Sequence, residues 1–489
     1  MRPSLGSVVL LALAVTAGAR AADWWPAGST DPFPAQADYP NAQGSLRVVA
    51  EGGPVETAGH PFFRALGSNG RACVTCHQPA DGMSLSAASA AARWEQYGAA
   101  DPLFAATDGS NCPDLPQDGK DTHSLLIEKG LIRVARRWPP ADIDGHPIKP
   151  DFEIAVVRDP TGCNLSPRWG LKSPHPAVSV FRRPRMVANL KYVQAIGFNY
   201  DPKSGLPLPI DPDTGKPSSH NLMADGRFLG LEAQMNDAAG GHLQMLEQLS
   251  PEDRRRLADF ETRVYAAQQT DVLGGSVDAA GAKGGPRTLA ESPAGRLGSR
   301  GVTVWSEFDP WLKPADAAGD KEEQFRASVA RGAKIFRERT FLITDSRGIN
   351  SPIGFGNPVR NSCVFCHNMS RIGMDVAPGQ VDLGTTTMPF ADPQPDLPLF
   401  RITCKGEPHP YYGKEILTHD PGYALTTGRC ADVGRITLQS LRGLSARAPY
   451  FSNGAAKDLG AIVDYYNRRY NIGYTPQERQ DLINLLSVL

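Results

Sequence analysis

Two pentapeptides carry the most specific chemistry in this sequence: Cys73-Val74-Thr75-Cys76-His77 and Cys363-Val364-Phe365-Cys366-His367. Thiols at i and i+3 share one side of a helical turn, so each can add to a vinyl group of one porphyrin, and the next residue offers its imidazole to the iron. A redox dithiol does not need the following His, and a zinc site would need a second Cys/His pair close by. With eight Cys and ten His in 489 residues, chance would supply roughly 0.003 copies of the pattern per chain, so two copies read as two attachment sites. The expected cofactors are two covalently bound haem c groups, one on Cys73, Cys76 and His77, the other on Cys363, Cys366 and His367.

The remaining residues must place two large, flat cofactors. Basic and acidic residues nearly balance, 51 against 52 for a net charge of −1, which gives no reason to expect a nucleic-acid partner. Arg2, the apolar run Val8 to Val15 and Ala19-Arg20-Ala21 resemble a signal peptide over residues 1–21, cleaved near Ala21. That run is too short to span a bilayer and no later one reaches the required length, so the expectation is an exported, periplasmic protein that does not span a membrane. Cys112, Cys163, Cys404 and Cys430 remain outside the motifs. In an oxidising compartment they suit two disulfides, with Cys112–Cys163 and Cys404–Cys430 the expected pairings because each stays within one haem domain.

Local patterning predicts a mainly α fold rich in loops, since 49 Gly and 42 Pro exceed ordinary usage by about half. Residues 22–58 read as an irregular lead-in, and 377–435 as largely loop. Ser250-Pro251-Glu252-Asp253 starts a helix with an N-cap, Pro at N1 and acid in the first turn, and Leu257, Phe260, Glu261 and Val264 set its spacing. The Gly-, Ala- and Pro-rich stretch 271–300 marks a linker. The N-terminal haem domain is thus expected over 22–300 and the C-terminal one over 320–489. Phe325, Val329, Gly332 and Phe336 share a helix face leading to the second motif. Leu459, Ile462, Val463, Tyr466 and Tyr470 form an amphipathic stripe that points Tyr466 inward, and Thr475-Pro476-Gln477-Glu478 caps a final helix burying Leu482, Leu485, Leu486 and Leu489. The basic runs Arg133 to Trp138 and Arg182 to Arg185 are either solvated surface or partners for haem propionates.

Beyond the motif pair, two stretches resemble the bacterial di-haem cytochrome c peroxidases and MauG-like proteins. Ala224-Asp225-Gly226-Arg227-Phe228, continuing through Leu231-Glu232-Ala233-Gln234, is similar to that family's W-D-G-R and L-E-E-Q. Leu438-Gln439-Ser440-Leu441-Arg442-Gly443-Leu444 and Ala448-Pro449-Tyr450-Phe451-Ser452-Asn453-Gly454 are similar to its T-L-R-N and A-P-Y-F-H-D-G. The resemblance implies two cytochrome c-like domains with few short strands, peroxide reacting at the N-terminal haem and electrons relayed through the C-terminal one. It makes His77 and His367 the proximal ligands. The second His often found about sixteen residues after the first motif is Arg93 here, so the first iron is expected to be open. Fourteen residues after Ser452, where relatives carry Met or Tyr, stands Tyr466, the expected sixth ligand of the second iron; Met388 is the substitute.

The same comparison implies that the distal pocket of the first haem lies along the helix from Gln234. The family's catalytic Glu falls at Gln244, which cannot exchange a proton, whereas His242 can near neutral pH. His242 is therefore the expected acid/base and Gln234 or Gln244 a polar orienter. The family's interhaem Trp is Ala224 and its His in A-P-Y-F-H-D-G is Ser452, with Trp169, Trp305 or Trp311 as alternative relays. Many relatives bind calcium between domains, an expectation carried by no residue here. The expected partners are hydrogen peroxide or oxygen and either a small redox protein as electron donor or an organic or protein substrate. The alternatives are MauG-like or rubber-oxygenase-like oxidation of a specific substrate and a non-catalytic electron-transfer cytochrome.

Overall fold

The computed structural model describes the chain apart from residues 1–23, 143–144, 195–221, 229, 295–303, 314–318, 351–354, 370–371 and 374–379. The signal peptide expected over 1–21 and the end of the 271–300 linker lie outside the described residues.

The architecture is mixed, which corrects the mainly α expectation. Strands form one four-stranded, one three-stranded and three two-stranded sheets among the described residues. The lead-in is not irregular: Gln36–Asn41 and Gly44–Ala50 form an antiparallel hairpin extended by Val264–Asp271 and Gly275–Ser276. Leu46, Val48 and Ala50 alternate onto its buried face. Val264, expected on the helix stripe, instead opens a strand, because the helix stops at Arg263 and a β-branched and an aromatic residue follow. The supposed loop 377–435 supplies Leu399–Cys404 and Glu415–Thr418. These strands are short and bracketed by turn residues, so helical periodicity had no competitor long enough to reveal them.

The two halves are tied together. Leu399–Cys404 pairs antiparallel with Phe152–Arg158 on one side and Glu415–Thr418 on the other. Arg182 is held between Asp225 at 2.8 Å and Asp420 at 2.6 Å. Both expected disulfides, Cys112–Cys163 and Cys404–Cys430, are formed.

Helices then surround each motif. Leu231–Leu243 and Pro251–Arg263 lie near the first, the latter capped by the Ser250 hydroxyl as its sequence suggests. Lys321–Glu338, Leu459–Tyr470 and Pro476–Ser487 enclose the second. Gly332 is required where two of them cross, since a Cβ there would lie 2.1 Å from the Asp481 carbonyl oxygen. Leu485 is fully buried beside it, contributing about 1.5–3 kcal/mol by leaving water.

Candidate haem sites

Each motif is a single tight turn, Cys73–Thr75 and Cys363–Phe365. The His77 amide donates to the Cys73 carbonyl at 3.1 Å, and His367 to Cys363 at 2.9 Å. All four thiols are free, and burial pushes Cys76 and Cys366 up to about 12. The imidazoles are oriented alike, with Nδ1 of His77 3.3 Å from the Met83 carbonyl and Nδ1 of His367 2.6 Å from that of Gly373. A carbonyl only accepts, so Nδ1 carries the proton and Nε2 is left as the ligand atom. Both carbonyls are turned back by left-handed backbone, φ 59° at Met83 and 79° at Gly373. At Gly373 a side chain would also meet Leu441 and Met369 within 3 Å.

A cavity of about 1480 Å³, counted to its open mouth, contains Cys73, Cys76 and His77. Gln234, Ala238 and His242, spaced i, i+4, i+8 on Leu231–Leu243, line one wall. The His242 side chain is 29 % exposed, and its Nδ1 lies 2.5 Å from Oδ2 of Asp108. The other oxygen of Asp108 takes Arg71, whose guanidinium also donates to the carbonyls of Pro102 and Leu103. Asp108 and Arg71 are buried. Burial opposes the charge on Asp108, but Arg71 and His242 hold it below the usual carboxylate range. Asp108 was invisible in the sequence, being a lone acid in a loop 134 residues from its partner. Gln244 is not brought to this wall: it caps the helix end at φ 55° with its side chain in solvent.

Three guanidiniums on the same cavity form no ion pair with a carboxylate among the described residues, although Asp81 and Asp225 act on Arg183 and Arg185 from farther off. Arg183 donates to the carbonyls of Lys129, Leu85 and Arg447, and Arg185 to those of Leu438 and Thr437. Arg447 reaches backbone carbonyls of Arg442 and Ser440. Burial pulls Arg183 and Arg185 down to about 9 and Arg447 to about 10, and Nε of Arg185 has no acceptor. A buried cation without a counter-ion is costly, and the anions that would satisfy this cluster are carboxylates bound in the cavity. Porphyrin propionates are such anions. With the paired thiols and the His77 imidazole, these residues fit haem.

The second cavity, about 1310 Å³, contains Cys363, Cys366 and His367 and meets the first at Gln439, Ser440 and Arg447. Its lining is otherwise largely apolar and aromatic. The Tyr466 hydroxyl lies 3.5 Å from Nε2 of His367, whereas Tyr465 donates to the Leu383 carbonyl and Tyr470 bonds the Ser346 hydroxyl. Tyr466 is thus the one of these three aimed at the ligand atom. Met388, Trp169, Trp305 and Trp311 line neither cavity, while Ala224 lines the first and Ser452 the second. No group of three or more His, Cys, Asp or Glu that could hold a metal ion occurs among the described residues.

No family profile matches the chain. It is similar to two curated proteins named cytochrome-c peroxidase. With IdrP2 of Denitromonas iodatirespirans it shares 28 % identity over 203 residues, 38 % of this chain and 52 % of that one. With IdrP1 of Pseudomonas sp. (strain SCT) it shares 31 % over 144 residues, 26 % of this chain and 36 % of that one. The match therefore spans about half or less of each relative's length. Among solved structures, hydrazine synthase of Kuenenia stuttgartiensis aligns over 63 % of this chain and 73 % of its own at 14 % identity and a TM-score of 0.29, too low to bear on the fold. The sequence likeness is therefore to cytochrome-c peroxidases, over part of their length.

Proposed function

We propose that this chain is an exported di-haem oxidoreductase of the cytochrome c peroxidase type, which reduces hydrogen peroxide at the Cys73–His77 site with electrons relayed through the Cys363–His367 site. The single observation that carries the reading is the 2.5 Å contact between His242 and Asp108 on the wall of the first cavity. With Asp108 accepting the Nδ1 proton, the lone pair of His242 lies on Nε2. That nitrogen can take a proton from one oxygen of peroxide and return it to the other as the O–O bond breaks, a two-electron, two-proton reduction to two waters. Gln234, eight residues earlier on the same helix, offers an amide to orient the peroxide. Haem held at these sites supplies the redox-active iron.

The electron donor in this reading is a small redox protein, and the compartment is the periplasm. No helix among the described residues is long and apolar enough to cross a membrane. A second reading, oxidation of a specific organic or protein substrate in the MauG manner, is favoured by Tyr466 beside His367, because an anionic oxygen ligand stabilises oxidised iron. His242→Ala tests the main reading: peroxide consumption should fall by about 10²-fold or more at unchanged haem content. An unchanged rate would remove His242 from the chemistry.

A further inference from the structure

The peroxide chemistry leaves one acid on the first cavity unused. Glu261 sits four residues after Leu257 on the helix Pro251–Arg263, on the stripe that faces the interior. It is 5 % exposed, lines the cavity that holds Cys73 and His77, and has an Oε2 with no hydrogen-bond partner among the described residues. A carboxyl at a core position without a cation or a donor is rare, because its ionised form would be stranded away from water. Asp108 near the same cavity is the opposite case, an acid kept charged by Arg71 and His242.

We infer that Glu261 is the proton-carrying group coupled to the first haem site, a neutral carboxylic acid in the cavity wall that gains its proton when the iron there is reduced and yields it when the iron is oxidised. This rests on haem being attached at Cys73 and Cys76, and not on peroxide being the oxidant. The step balances: a one-electron donor supplies one electron to ferric iron, and solvent supplies one proton to the carboxylate. The cavity's net charge is then unchanged, which is the low-cost outcome in a site of low dielectric constant.

Burial alone pushes the Glu261 carboxyl up to about 8. The positive charge of ferric iron would lower that value and reduction would relax it, so the two oxidation states differ in proton affinity. The other titratable groups around it have different tasks. His77 would hold the iron through Nε2, and His242 is engaged by Asp108. Arg71 is paired with Asp108, Arg185 donates to the carbonyls of Leu438 and Thr437, and Cys73, the thiol that senses Glu261, is one of the two attachment thiols. His60, against Phe260 on the same helix, is held neutral by burial, at about 4. The part-exposed His242 edge gives solvent protons a route to the cavity.

The test is a spectroelectrochemical titration of both haems in the full holoprotein from about pH 6 to 10. In the unaltered protein the reduction equilibrium of the first haem should fall with rising pH, by up to tenfold per unit, or about 59 mV. Glu261→Gln should flatten this slope and leave the second haem's pH dependence unchanged. An equal slope in the variant would overturn the proposal. Should Glu261→Gln fail to load haem, redox-difference infrared spectra of the unaltered protein with ¹³C-labelled glutamate decide the matter. A label-sensitive carboxylic-acid band is expected on reduction, and its absence would overturn the proposal. Absence of haem from the unaltered protein would instead refute attachment itself.

Discussion

The two cavities begin from the same five-residue instruction and end as different chemical environments. In both, a tight turn presents two thiols and an imidazole whose Nδ1 is tied to the carbonyl six residues on. Beyond that turn they diverge. The first is walled by His242 and Arg71, joined behind the wall by Asp108, by three guanidiniums that form no ion pair among the described residues, and by a buried acid. The second is largely aliphatic and aromatic, with the Tyr466 hydroxyl facing the ligand nitrogen of His367. A motif can specify attachment, but proton supply and the occupancy of the sixth position come from elements distant in sequence. On this account the first site is open and reactive, and the second is closed and stores oxidising equivalents.

The largest expected effect comes from removing one attachment at a time. Cys73→Ala with Cys76→Ala should halve the haem content measured as pyridine haemochrome and abolish peroxide consumption. Cys363→Ala with Cys366→Ala should also halve the haem but leave a peroxide-responsive spectrum. The same response from both variants would erase the asymmetry.

Asp108→Asn comes next. It leaves one acceptor oxygen for both Arg71 and His242, so the His242 tautomer is no longer fixed and peroxide consumption should fall by about 10–100-fold, the usual cost of losing an orienting carboxylate. Asp108→Ala should in addition cost about 3–5 kcal/mol, because Arg71 is left buried and unpaired. The pH dependence follows from the lowered Asp108 value in the fold. A depressed carboxylate contributes stability that is fully present above its unfolded value of about 3.9 and lost as pH falls through the folded one. Denaturant midpoints measured towards acid should therefore decline less steeply in Asp108→Asn than in the unaltered protein.

Tyr466→Phe should alter the second site only, changing the low-spin ferric signal and raising that haem's potential, while peroxide still perturbs the first. An unchanged spectrum would reject Tyr466 as a ligand. The smallest effect is expected at Gln244, whose side chain points to solvent: Gln244→Ala should leave turnover within about twofold, surface changes being near neutral, whereas Gln234→Ala on the cavity wall should not.

What was legible in the sequence was local. The two motifs, the capped helices at Ser250 and Thr475, and the stripe that aims Tyr466 inward all depend on spacings of a few residues, which the helix converts directly into position. His242 and Gln234 came from a motif offset on one helix. The pairing of Phe152–Arg158 with Leu399–Cys404 was not legible, since both strands are short and lie more than two hundred residues apart. For the same reason Asp108 escaped notice, as did the lack of an ion pair at Arg183, Arg185 and Arg447 among the described residues. An arginine reads the same in a sequence whether or not an acid waits for it. Glu261 shared the helical spacing of Leu257 and Phe260, but the core stripe was expected of the apolar residues alone, and only the cavity gave this acid a task.

The claim that two like motifs serve one open and one closed iron is tested most directly by the electron paramagnetic resonance spectrum of the ferric holoprotein, recorded before and after one equivalent of peroxide. The account predicts one high-spin and one low-spin haem, with the high-spin signal lost on addition. Two low-spin signals that peroxide leaves unchanged would contradict it.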